Sequence, residues 1–426
     1  MLIPIAKCLD HTAFEVMEII PSPAVPSARA MMVPLVTMTV VQTLVTTAGF
    51  AVPVFAVPLA RDLGIDPGTV GFYMSAVFST AMFGAILGGH GVRRFGAIRM
   101  VQSALAAAAL ALATLSLGVL ALVVPAALCM GLAYGPTTPA SSHILARTTP
   151  PRLMPIVFSI KQTGVPLGGA LAGLLVPPMV LAWGWRGAAI AIAAVCLAAI
   201  PILQPLRRRL DHDRAPGARF QGGFFGPLRL VLGQSTLRRM ALLSFSFSAV
   251  GMTMIAYLVT YLIEVVGLDL VAAGMVLAAA QLAGVAGRIV WGAASGAIID
   301  ARRLLIVLGL AMSGASLVTA GFAPGWSPLA LYATAVLFGA TAIGWNGVIL
   351  AEFARIAPPG QAGLATAGAV FVTFGGIVFA PALFGILLAL GIGYTGGFVM
   401  LALMALIGVG LAMGPPWTAL GGADGL

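Results

Sequence analysis

The chain has 426 residues, of which 60% are hydrophobic and 8% charged, with 22 Lys and Arg against 12 Asp and Glu for a net charge of +10. Soluble domains carry about a quarter charged residues, so this chain has too few charges to solvate a globule, and a soluble enzyme or binding module is excluded. The basic residues lie in short clusters between apolar runs without an aromatic-interleaved stripe, which excludes a nucleic-acid partner and makes the charge a topology signal.

The first thirty residues carry Asp10, Glu15 and Glu18 before any long apolar run, which does not match a cleaved signal peptide. Residues 1–32 are therefore expected to form a cytoplasmic tail. Twelve segments are long and apolar enough to cross about 30 Å of hydrocarbon: 33–57, 70–89, 98–117, 121–145, 154–181 and 187–206, then 240–263, 271–292, 304–322, 328–351, 362–390 and 398–413. Between the sixth and the seventh lies an Arg-rich stretch, 207–239, with Arg207, Arg208, Arg209, Arg214, Arg219, Arg229, Arg238 and Arg239 beside QGGFFGP. The expected organisation is a six-helix bundle at 33–206, a cytoplasmic basic linker at 207–239, a second bundle at 240–413 and a cytoplasmic tail at 414–426. With both termini in the cytoplasm, only Arg61 and Arg186 among the loop cations fall on the opposite side, as the positive-inside rule requires of a bacterial inner-membrane protein.

The halves echo each other. ARTTPP (146–151) follows the fourth span and ARIAPP (354–359) follows the tenth. Repetition of a six-helix unit is the trace of a transporter with its substrate site near the midplane between two related halves.

Between spans two and three stands GGHGVRRFGAIRM (88–100), and between eight and nine WGAASGAIIDARRLL (291–305). Here the chain resembles the major facilitator superfamily, whose loop signature is a glycine, a short apolar step, Asp-Arg, a glycine and further basic residues. Gly89, Arg94, Gly96 and Arg99 match, while Arg93 replaces the Asp. The second loop keeps Gly292, Ser295, Arg302 and Arg303, with Gly296 at the acidic position and Asp300 nearby. The resemblance spans 33–413. It implies an all-α integral membrane fold of twelve helices in two pseudo-symmetric bundles, and loops that brace the cytoplasmic gate through a carboxylate, an arginine and a helix N-terminus. The alternative role for these arginines is to enforce orientation.

Charges inside the spans are costly and mark function. All twelve acidic residues fall in tails, loops or span ends. Lys161, one of two lysines in the chain, lies about 12 Å into the fifth span by the rise of an α-helix; Arg288 lies in QLAGVAGRIVWG near the end of the eighth. Two cations without a carboxylate in their layer call for an anionic substrate, unless they snorkel or bond backbone carbonyls freed by neighbouring prolines and glycines. Family members that carry mono- and dicarboxylates also place a cation in helix eight. The polar set expected around the pair is Gln42, Thr46, Tyr134, Thr137, Gln162, Tyr257, Gln281, Trp345 and Asn346, each of which also has a helix-packing reading. His143 and Glu352 end spans four and ten and are the candidates for proton coupling.

Cys8, Cys129 and Cys196 are far apart and suit neither a disulfide framework nor a zinc site. The absence of Gly-Lys-Ser/Thr removes a phosphate-binding loop and direct ATP drive. No cofactor or metal is expected. The reading is a transporter, not an enzyme, that acts as a monomer in the bilayer on a small solute, an organic anion of the carboxylate type, by alternating access. The alternatives are efflux of hydrophobic drug-like compounds and, from another class, a non-transporting membrane sensor or membrane enzyme.

Overall fold

A computed structural model describes residues 28–215, 217, 226–358 and 361–417. The expected tail 1–32 is therefore covered only from residue 28, and residues 216, 218–225 and 418–426 of the linker and C-terminal tail lie outside the described residues. Among the described residues, eleven helical runs are long and apolar enough to cross a membrane. One of them, Ile156–Leu210, has 55 residues. At 1.5 Å per residue it would be about 80 Å long, far more than one crossing. It breaks at Gly184, whose φ of 71° and ψ of 168° are not helical, and so supplies two spans.

Among the described residues the twelve spanning helices are α1 (Met31–Val54), α2 (Pro67–Phe95), α3 (Ala97–Ser116), α4 (Leu120–Thr148), α5 (156–183), α6 (185–210), α7 (Ser235–Glu264), α8 (Leu270–Ala294), α9 (Ala301–Ala320), α10 (Pro328–Ile356), α11 (Gly363–Ala389) and α12 (Gly393–Met413). The expected first span runs on to residue 57, but the helix stops at Val54 and a separate short helix, Ala56–Leu63, follows.

Short polar caps allow the tight connections. Asp66 accepts from the Gly68 amide at 2.6 Å, Asp269 from the Ala272 amide at 2.8 Å, and Ser327 from the Ala330 amide at 3.2 Å with Pro328 at the first helical position. Each satisfies an amide that a helix start leaves without an intrahelical partner.

The packing repeats in the two halves. α1 lies on α5 and α7 on α11, with glycine backbones at the contacts: Gly168 against Thr43 and Thr46, Gly376 against Phe245. α2 lies on α4 and α8 on α10 through Gly131 against the Val77 carbonyl and Gly339 against the Ala280 carbonyl. These two glycines stand the same number of residues ahead of the repeated Ala-Arg phrase. α3 meets α6 where Gln102 donates to the Ile200 carbonyl at 3.0 Å, and α9 meets α12 where Ser313 donates to the Ala402 carbonyl at 3.1 Å.

The halves meet along α2–α11 and α5–α8. We call the membrane side that carries the helix ends nearest the termini the terminal face, and the other the far face. Polar contacts between the halves run from Arg61–Glu264, 3.2 Å at the far face, through Tyr257 and Ser75, to Arg288, which lies six residues before the terminal-face end of α8. Gly173 and Gly274 bring α5 and α8 into backbone contact toward the far face, where a Cβ on either would collide with the opposite carbonyl.

Candidate functional site

In KQTGVP, residues 161–166, the carbonyl of Gln162 would accept from residue 166 in a regular helix, but residue 166 is proline and has no N–H. The helix is interrupted at Thr163. Arg288, on α8 in the other half, takes the freed carbonyl: its Nη1 donates to Gln162 O at 2.8 Å. α10 is interrupted at 343–345, and Arg288 Nε donates to the Ile343 carbonyl there at 3.2 Å. One guanidinium thus joins two helix interruptions from opposite halves. The backbone stays close to helical at both places, and what the guanidinium supplies is a donor for carbonyls that would otherwise be unpaired at this depth.

Lys161 is 1% exposed and donates to the side-chain Oε1 of Gln162 at 3.1 Å. It does not snorkel to either face. The two cations are close enough to act on each other electrostatically. Among the described residues, no Asp or Glu forms an ion pair with either. Tyr134, at the interruption of α4, stands beside both Thr46 and Arg288. Gln42 donates to Thr46 at 3.3 Å, and Gln281 lies across the interface with its amide against Gly169 of α5. The structure thus brings together Gln42, Thr46, Tyr134, Lys161, Gln162, Gln281 and Arg288 on α1, α4, α5 and α8.

Other expected members lie elsewhere. Tyr257 is fully buried, its hydroxyl shared between the Gly68 carbonyl at 2.9 Å and the Pro381 carbonyl at 3.0 Å in the far-face contact. Trp345 donates to the Ala342 carbonyl at 3.0 Å and meets Phe247 edge-on, so its polar edge is occupied within its own half. Asn346 is half-buried at the restart of α10, and Thr137 donates to the Tyr134 carbonyl at 2.6 Å. Two side cavities flank α2 away from this layer. One, about 350 Å³, is apolar and lined by Phe72, Tyr73 and Leu120; the other, about 450 Å³, is lined by His90, Arg94 and Met100.

At the terminal face the loop glycines and arginines serve helix ends. Asp211, from the end of α6, accepts from the amides of Ile98 at 2.8 Å and Arg99 at 3.3 Å, capping α3. Gly96, at φ 98°, leaves the room its carboxylate occupies. The carboxylate missing at Arg93 is thus supplied from the far end of the half. In the second half Asp300 caps α9 from within the loop, accepting from Arg302 and Arg303 at 3.0 and 3.1 Å. Arg302 closes the C-terminus of α12 through the carbonyls of Ala412 at 2.6 Å, Met413 at 2.9 Å and Gly414. Arg99 donates to Gln102 at 3.3 Å, Arg94 is exposed beside Phe95, and Gly89 and Gly292 have open space around them.

His143 pairs with Asp213 at 2.6 Å, and Arg147 holds the same carboxylate at 2.6 Å. Partial burial pushes the Asp213 carboxyl up, but the His143 hydrogen bond and the Arg147 charge outweigh it and hold the group below its ordinary value. Glu352 is paired with Arg355 at 2.6 Å. Both candidate proton carriers are therefore engaged at the terminal face. Sequence reasoning missed Asp211 and Asp213 because their partners are distant in sequence. It also missed the α1 threonines Thr39, Thr43 and Thr47, each of which bonds the carbonyl four residues back, with Thr47 reaching Gly168 O as well; their four-residue spacing was the available signal.

The family model described as the Major Facilitator Superfamily matches residues 38–381. The chain belongs to the Major Facilitator Superfamily. This superfamily member is 26% identical over 364 residues to the gentisate transporter of Corynebacterium glutamicum, covering 82% of this chain and 79% of that protein. In fold it is similar to a bacterial homologue of the human lysosomal transporter Spinster in an inward-facing, occupied conformation, with a TM-score of 0.72 at 14% identity over 91% of this chain and 97% of that one. It is also similar to the nucleoside transporter NupG, with a TM-score of 0.71 at 13% identity over 89% and 99% of the two chains. Family and fold make it a multi-pass membrane transporter of a small solute rather than an enzyme.

Proposed function

We propose that this superfamily member carries a small organic anion of the carboxylate class, by alternating access, across a bacterial cytoplasmic membrane with both termini inside. The observation that carries this reading is the buried pair of cations, Lys161 and Arg288, one from each half, with no acidic partner among the described residues. Arg288 commits Nε and Nη1 to backbone carbonyls, which leaves Nη2 for a ligand. Lys161 commits one of its three donors to a neutral amide. A carboxylate placed between them accepts from both cations, and its charge offsets the cost of burying two positive groups. Tyr134, which stands beside Arg288, is edge-on to Phe78 at 5.1 Å, an aromatic pair that suits an aromatic acid. The similarity to a gentisate transporter agrees with this class.

The orientation rests on charge. The loop arginines crowd the terminal face, whereas Arg61 and Arg186 at the far face are each neutralised, by Glu264 at 3.2 Å and Asp62 at 2.9 Å. In this assignment the closed far face is the external gate, and the bundles 33–206 and 240–413 rock about the α2–α11 and α5–α8 contacts, joined by the linker 207–239. One chain supplies both cations, so a monomer is sufficient.

The test is uptake of radiolabelled benzoate and dihydroxybenzoates into proteoliposomes. Saturable uptake that Lys161→Ala removes is the expected result. Transport only of lipophilic amines, unaffected by Lys161→Ala, would favour efflux of hydrophobic compounds instead.

A further inference from the structure

Two amide side chains packed against α5, the helix that carries Lys161, are left with unmet hydrogen-bonding groups. Gln281 is 0% exposed, and neither its Nε2 nor its Oε1 has a partner. Gln42 is 1% exposed; its Nε2 is used by Thr46, but its Oε1 has none. Buried polar atoms without partners are uncommon and costly, the more so in a membrane interior. Both side chains lie against glycines of α5, Gln281 by its amide and Gln42 by its stem. A Cβ on Gly169 would fall 2.1 Å from Gln281 Nε2, and one on Gly164 would fall 3.1 Å from Gln42 Cβ. The glycines following Lys161 are what let these two side chains approach α5 closely, from α8 on one side and α1 on the other.

The chemistry of these atoms constrains the ligand more than the cations do. Lys161, Arg288 Nη2 and Gln281 Nε2 are donors, and an ionised carboxylate, which only accepts, satisfies them. Gln281 Oε1 and Gln42 Oε1 are acceptors, and a carboxylate satisfies neither. The ligand must therefore also present donors. Gln281 lies seven residues before Arg288 on one continuous helix, two turns or about 10 Å along the axis toward the far face and on the same stripe. That is a span which the two side chains and a ligand of benzoate length bridge together.

Building on the carboxylate reading above, we infer that this site selects hydroxylated carboxylates, with the acid on Lys161 and Arg288 and ring or chain hydroxyls donating to Gln281 and Gln42. A hydroxyl both donates and accepts, so one group on the Gln281 side answers Oε1 and Nε2 in turn, and a second answers Gln42. An unsubstituted acid of the same size leaves these amides unmet. A site built for a hydroxyl discriminates strongly against the analogue that lacks it.

The experiment is equilibrium binding to the purified full-length protein of benzoate, the three monohydroxybenzoates and 2,5-dihydroxybenzoate. Wild-type protein is expected to hold the best hydroxylated acid at least about tenfold tighter than benzoate. Gln281→Met, of similar volume without hydrogen-bonding groups, is expected to collapse that ratio to below about threefold, and Gln42→Leu to reduce it. Binding of benzoate and its hydroxylated relatives with equal affinity, as when internal water satisfies the amides, overturns the inference and leaves the carboxylate reading standing. Retention of the full preference by Gln281→Met overturns it as well. Binding of none of the five acids sinks the carboxylate reading itself. Because the wild-type ligand series decides the main point, a poorly folding variant does not rescue the inference.

Discussion

The two interfaces between the halves are related by pseudo-symmetry, yet they differ in chemistry. At α5–α8 the helix is interrupted beside a lysine, an arginine spans the gap between halves, and two glutamines carry unmet groups. At α2–α11 the helix Ala362–Ala389 runs without interruption and carries no charge. The contacts there are neutral hydroxyls on carbonyls: Ser75 of α2 on Val378 of α11 at 2.6 Å, and Tyr257 of the adjoining α7 on Gly68 of α2 at 2.9 Å. The α2–α11 groups named here satisfy one another, whereas those of α5–α8 do not. We read the first interface as a closure and the second as the place where a ligand completes the structure.

Charge reversal is the strongest way to break this contrast. Lys161→Glu places a carboxylate against Arg288 and supplies the missing anion internally, so uptake of carboxylates is expected to fall by at least about 100-fold, read as initial rate in proteoliposomes. Next is Arg288→Lys, which keeps the charge but not the fork that holds Gln162 O and Ile343 O while leaving Nη2 free; a loss of about tenfold or more in affinity is expected in binding assays. A smaller effect is expected at the neutral interface. Tyr257→Phe removes a net hydrogen bond of about 1 kcal/mol from the closed far face, which favours opening by about fivefold and raises far-side labelling of a cysteine at Leu388 while substrate affinity stays within about threefold.

The smallest effect concerns the terminal face. Asp213 is held below its ordinary 3.8, so its pairing with His143 and Arg147 contributes stability above that value and loses it as pH falls through the lower folded-state value. Asp213→Asn should therefore lower the melting temperature by about 2 °C at pH 7, a modest shift because the pair is partly solvated, with the difference closing only in strong acid.

The apolar runs located the spans to within several residues, because hydropathy over a fixed thickness is a local property. The lysine and arginine are visible for the same reason, being the only lysine or arginine more than a turn inside those runs. The joining of α5 to α6 through Gly184 was not visible, since a glycine between two apolar runs reads as a loop. Pro166 did announce that a carbonyl four residues earlier would be free, but its partner on α8 depends on how the halves meet. The interruption of α10 at 343–345 sits in apolar sequence that gives no period to lose. Tyr257 read as a cavity residue because a tyrosine in a span needs a partner, and the partner is backbone across the far-face contact. Asp211 capping α3 was hidden by sequence distance, while Asp300, next to the helix it caps, was noticed.

The most direct test of the central claim compares benzoate with benzamide, which has the same shape without the charge, in equilibrium binding to the purified protein. Benzoate is expected to bind, benzamide not to compete at about tenfold excess, and Lys161→Ala to abolish benzoate binding. Equal affinity for the two, or binding of benzamide alone, would contradict it.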